Sequence, residues 1–142
     1  MKSIALAMTL VFSTAIFAAQ TPATTAVTNL IAVGEYKGLD GNIDCAVTVK
    51  TTEDYVSISV TNSDVAKFYT VLNSGINYNV NEVTGEVSAS QVIRYPHSMG
   101  GGSRVLNIKK NENNEVEFFI ADMIIDHRGN DSTSAAGCTI AQ

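Results

Sequence analysis

From residue 43 onward, apolar and polar residues alternate along much of the chain. Ile43, Cys45, Val47 and Val49 share one parity, with Asp44, Ala46, Thr48 and Lys50 on the other. Val56, Ile58 and Val60 stand against Ser57, Ser59 and Thr61, and Ile76, Tyr78 and Val80 against Asn77, Asn79 and Asn81. A period of two with β-branched content predicts strands buried on one face. Turn-forming residues punctuate the pattern at Asp40-Gly41-Asn42, Thr52-Glu53-Asp54, Asn62-Ser63-Asp64, Asn73-Ser74-Gly75, Thr84-Gly85 and Asn111–Asn114. About eight strands result: 29–37, 43–51, 55–61, 65–72, 76–83, 86–95, 104–111 and 115–125. The segment 64–72 (DVAKFYTVL) also fits a short helix capped by Asp64, but its β-branched and aromatic content favours a strand. Pro96–Ser103, with Gly100, Gly101 and Gly102, reads as a mobile loop, and His127–Gly137 as a second loop before a tail bearing Cys138. The expected fold is all-β, with antiparallel strands forming an up-and-down barrel or a two-sheet sandwich. A period of two is common to both.

The first residues break this pattern. Met1 and Lys2 precede an uncharged apolar or small run, Ile4–Ala19, that ends before Gln20-Thr21-Pro22. This is the layout of a secretory signal peptide, cleaved after Ala18 or Ala19. The run is shorter than the roughly 20 residues of a comfortable membrane span, and no cysteine follows it to carry a lipid. The expected organisation is a signal peptide over 1–19, a flexible tail over 20–28 (TPATTAVT from Thr21 is small and polar) and one all-β domain over 29–142. The expected product is secreted or periplasmic, with no membrane span once the leader is removed. In such an oxidising compartment the two cysteines, Cys45 and Cys138, read as one disulfide. Closing so long a loop stabilises by about 4–5 kcal/mol in the chain-entropy picture.

Composition narrows the function. The 142 residues carry nine basic and fourteen acidic side chains, a net charge of −5, which argues against a nucleic-acid surface. Apolar residues make up 45%, which fits a globular domain.

Candidate chemistry is sparse. Asp40-x-Asn42-x-Asp44 has the opening spacing of a calcium loop, but Cys45 and Thr51 occupy the positions that need glycine and glutamate, so it reads as a hairpin turn and no metal site is expected. Pro96-His97-Ser98-Met99-Gly100 lacks the first glycine of a nucleophile elbow. Ser98, His127 and Asp126 make a poor triad, because neighbouring strand residues face opposite ways. Asp122 and Asp126 share a strand face, as paired glycosidase carboxylates do, yet the chain has no Trp to form a sugar platform. The triple glycine lacks the lysine of a phosphate loop, and no cofactor is implied. Asn130-Asp131-Ser132 fits the glycosylation acceptor pattern, which matters only in a eukaryotic secretory route.

Gly34-Glu35-Tyr36, soon after the leader, is similar to the G-x-W opening of lipocalin-type barrels, with Tyr36 in the tryptophan position. The resemblance implies an up-and-down barrel and brings no site residue with it. These readings converge on a non-catalytic binding module for a small apolar ligand or a partner protein, such as an inhibitor of a secreted enzyme. An envelope or matrix structural protein, assembling through exposed edges or Asn-rich faces, is the alternative; a small hydrolase using His97, His127 or the Asp122/Asp126 pair ranks lower. Loops carry contacts on rigid strands, so the expected binding residues are Tyr95, His97, Met99 and Arg104, with His127 and Arg128 nearby.

Overall fold

The computed structural model describes residues 21–97 and 100–142. The expected leader, with its expected cleavage after Ala18 or Ala19, lies outside the described residues, as do Ser98 and Met99. Among the described residues one short helix, α1 (Pro22–Thr28), precedes nine strands: β1 (Gly34–Asp40), β2 (Ile43–Thr51), β3 (Val56–Asn62), β4 (Ala66–Val71), β5 (Asn77–Val80), β6 (Val87–His97), β7 (Gly100–Lys110), β8 (Val116–Asp126) and β9 (Asp131–Ile140). All pair antiparallel in a single sheet of order β4-β3-β2-β1-β9-β8-β7-β6-β5. The chain is all-β as expected, with one strand more than the alternation indicates.

The differences from the sequence reading have local causes. Residues 22–28, read as a tail, form α1. Thr21 caps it by accepting from the Thr24 N–H at 3.2 Å, Pro22 sits in the first turn where its missing N–H is harmless, and Ala23, Ala26 and Val27 are buried. The first strand therefore starts at Gly34 rather than 29. The 64–72 segment is strand, as its β-branched and aromatic content favours. The expected loop 95–104 is mostly ladder. β6 runs to His97 and β7 begins at Gly100, and the glycines are held by register on both sides, as in Tyr95↔Gly102↔Ile124. The second expected loop shrinks to a turn at 127–130, because Ala136, Cys138 and Ile140 alternate inward along β9. That strand is rich in Ser, Thr, Ala and Gly, so its apolar signal is faint.

Every strand pairs with its chain neighbour except β4 and β5, and β9 returns to β1. This is the connectivity of an up-and-down barrel, but the ladder is not closed: β4 and β5 remain the two margins of an open sheet. The sheet folds over one core instead. Val47, Val49, Val56, Ile58, Val60, Tyr69 and Val71 from the β1–β4 half meet Leu106, Ile108, Phe118, Ile120 and Ile140 from the β5–β9 half. The weakest line of pairing is the fold-over itself, where β1 and β9 share the single pair Leu39↔Thr139.

Gly38 explains how two strands approach there so closely. A Cβ on it would lie 2.1 Å from the Thr139 carbonyl oxygen and 2.7 Å from Ile140 Cδ1, so no side chain fits. Beside it the Cys45–Cys138 disulfide joins β2 to β9 across a separation of 93 residues. Asp40-Gly41-Asn42 makes the tight β1–β2 hairpin, with Gly41 at φ +62° and Asp40 paired to Ile43.

Candidate functional site

The inward residues of β6, β7 and β8 fall into two zones. Nearer the core they are apolar; then comes a staggered polar row, with Gln91 opposite Leu106 and, one inward step further along, the cross-strand pair Arg104–Asp122. Asp122 accepts from Lys67 Nζ at 2.7 Å and from Arg104 Nε, tying β4 to β8 and β7. Burial pushes the Asp122 carboxyl up, but hydrogen bonds from Arg104 and Lys67, with their charges, outweigh it and hold the group below the usual carboxylate value. Arg104 also donates from Nη1 to the Phe68 carbonyl at 3.2 Å. Gln91 is almost wholly buried. Its Oε1 accepts from the Leu72 N–H at 2.9 Å, while its Nε2 donates to the carbonyls of Leu72 at 2.8 Å and Ser74 at 2.9 Å. The Tyr69 hydroxyl donates to the Gln91 carbonyl at 3.2 Å, and burial pushes its pKa up to about 12 against the pull of Arg104.

This row accounts for the carboxylate pair singled out in the sequence. Asp122 is engaged by two cations and holds the halves together. Asp126 closes the β8–β9 turn, accepting from the N–H groups of Arg128 (2.8 Å) and Asn130 (2.9 Å) and from Asn130 Nδ2 (3.0 Å). The Asn130 bonds, side chain first, then the Arg128 and Gly129 N–H groups, outweigh the small effect of burial and keep its carboxyl below the ordinary value.

Beyond the polar row, β6 to β9 run on past the core as a projecting arm. On its outer face two cross-strand rows lie side by side: Arg94–Ser103–Met123–Thr133 and Pro96–Gly101–Ile125–Asp131. Between them lies an apolar-lined depression of about 300 Å³, bounded by Arg94, Met123, Ile125, Asp131 and Thr133, with glycine backbone at 101 and 102. A Cβ at Gly101 would meet nothing within 4 Å, so the missing side chain is what leaves this space open. Met123 is 41% exposed, Ile125 53% and Val92 54%. A larger hollow of about 390 Å³ lies near the disulfide, but its lining by Lys37, Asp44, Thr61 and Asn62 is more polar. Ligand-holding sites are mostly apolar with a few placed polar groups, which favours the smaller one.

Of the expected contact residues, Tyr95 and His97 fall within β6, in register with Gly102 and Gly100, and Met99 lies outside the described residues. Arg104 sits in the polar row rather than at the tip. His127 and Arg128 are exposed in the β8–β9 turn, at the same end of the sheet as the β6–β7 tip, since Gly100 pairs with Asp126. Arg94, Met123, Ile125 and Asp131 were not anticipated. One signal was present: β8 is apolar on both parities, with Phe119, Met123 and Ile125 opposite Phe118, Ile120 and Ile124, where a half-solvated strand alternates.

Comparison with protein-family models, with curated proteins and with solved structures finds no match for this chain.

Proposed function

We propose that this chain is an exported, non-catalytic binding domain whose contact surface is the projecting arm of β6–β9. The observation that carries the reading is the outer depression, where a glycine floor and exposed Met123 and Ile125 lie between a cation, Arg94, and an anion, Asp131. Exposed apolar surface rimmed by charge on a small acidic domain is characteristic of a contact site. The polar row supports the same reading from below, because it fixes the strands that carry the arm. The signal-like leader and the disulfide Cys45–Cys138 support export.

The test uses an environment-sensitive apolar dye, anilinonaphthalene sulfonate, titrated into the folded protein and into a Met123→Ser/Ile125→Ser variant. Both side chains are exposed, so melting is expected to shift little while dye fluorescence falls. Undiminished fluorescence in the variant overturns the assignment of the surface. A structural role in an envelope or matrix is the second reading, favoured by β5, a margin strand whose four residues are all exposed. Sedimentation over a wide concentration range separates the two, since assembly requires self-association.

A further inference from the structure

β6 is eleven residues long, but β5 covers only four of them, Val87–Ser90. Among the described residues no strand pairs with the rest of that edge. The direction of the uncovered backbone groups follows from the ladder. Asn81 N–H donates to the Glu86 carbonyl at 2.8 Å, which turns residues 86, 88 and 90 toward β5. Alternation along an antiparallel strand carries the same side on to Val92, Arg94 and Pro96. The open edge thus offers the N–H and C=O of Val92 and Arg94 and the C=O of Pro96, which has no N–H to lose. The matching margin at β4 is treated differently: the Phe68 carbonyl is bonded by Arg104, and Leu72, one residue past the strand, is bonded through both N–H and C=O by Gln91.

We propose that residues 92–96 of β6 receive an extended segment of another polypeptide as an added strand, in line with β5. The inference rests on the binding-domain reading above and names its partner. The segment carries an acidic side chain on the outer face, because the outward residues it would lie beside are Val92, Arg94 and Pro96, and Arg94 is the one charged group among them. Main-chain pairing supplies affinity in this mode and alternate side chains supply selectivity. A second copy of the chain fits less well. Two-fold pairing of β6 edges about Ile93 sets Val92 opposite the other copy's Arg94 and places both guanidinium groups on one face. The nearest carboxylate in those two outer rows, Asp131, is three strands away on β9.

The experiment screens a displayed library of random nine-residue peptides against the folded, disulfide-bonded protein, then follows amide exchange with the best binder. Enriched peptides should alternate and carry Asp or Glu. They should slow exchange at Val92 and Arg94, lose binding when their own amides are N-methylated, and weaken about tenfold against Arg94→Glu. Exchanging the peptide's acid for Lys should restore binding to that variant. Three results overturn the proposal: no enrichment, protection confined to other strands, or slowing at Val92 and Arg94 that grows with protein concentration without peptide, which would mark a second copy. Dye binding at Met123 and Ile125 is read separately, so the strand-addition inference can fail while the binding-domain reading stands.

Discussion

The two margins of this sheet end in opposite ways. At the β4 margin, side chains answer backbone groups that no strand pairs, at Phe68 and, one residue past the strand, at Leu72. The Gln91 amide bonds Leu72 as a neighbouring backbone would, and Arg104 answers Phe68. At the other margin β5 is four residues long and leaves Val92–Pro96 uncovered. Unpaired edges invite association, and proteins blunt them by covering or by charge. This chain covers the margin that belongs to its core and leaves the other with one arginine and one proline. The difference separates a margin whose edge groups are partly answered by side chains from one left unpaired among the described residues.

Breaking the covered margin should have the largest effect. Gln91→Leu keeps the bulk but orphans the N–H and C=O of Leu72 and the C=O of Ser74. A loss of about 2–4 kcal/mol is expected, measured by urea unfolding. Asp122→Asn leaves Lys67 and Arg104 facing each other without their anion. Because Arg104 is more than a third exposed, the expected loss is about 1–3 kcal/mol, below that for a fully buried pair.

The same variant sharpens the comparison through pH. The folded protein holds the Asp122 carboxyl below its unfolded value, so its contribution is complete above the unfolded value near 4 and disappears as pH falls through the folded one. Acid unfolding of the native chain should therefore contain a component below about pH 4 that Asp122→Asn lacks, visible in melting temperature against pH. Tyr69→Phe removes one hydrogen bond, to Gln91, and should cost about 1 kcal/mol. With the hydroxyl pushed up to about 12, its contribution is full below the unfolded value near 10 and is lost as pH rises toward 12. The smallest effect belongs to the open margin. Arg94→Gln is expected to leave stability within about 0.5 kcal/mol of the native chain; a larger loss would show that this edge, too, serves the fold.

Much of the fold was legible because inward apolar residues alternate with outward polar ones. β2 lies at 43–51 as read, and β3 within a residue of its expected bounds. The pattern failed where burial and hydrophobicity part company. Tyr78 and Val80 look like an inward face, yet both are exposed because β5 is a margin with little packed against it. β9 was missed for the opposite reason, since Ser, Thr, Ala and Gly carry it into the core with few large side chains. The polar row was invisible, because Lys67, Gln91 and Asp122 are far apart in sequence and meet only when the sheet folds over. The proposed surface was legible in part: its glycines drew attention to that end of the molecule, but the outward residues of β8 were not separated from its core face.

The Cys45–Cys138 bond has a consequence for how the molecule comes into being. Strands β1 to β4 form one run of adjacent hairpins and β5 to β9 another, so each half can zip from neighbours close in sequence. Among the described residues the Leu39↔Thr139 pair and the disulfide join them along the sheet, and Cys138 lies on β9. During synthesis the Cys45 thiol must wait for the stretch that carries β3 to β8 before Cys138 is made. The sheet is therefore joined by β9, and until that strand is made the β1 edge of the first meander has no partner strand among the described residues.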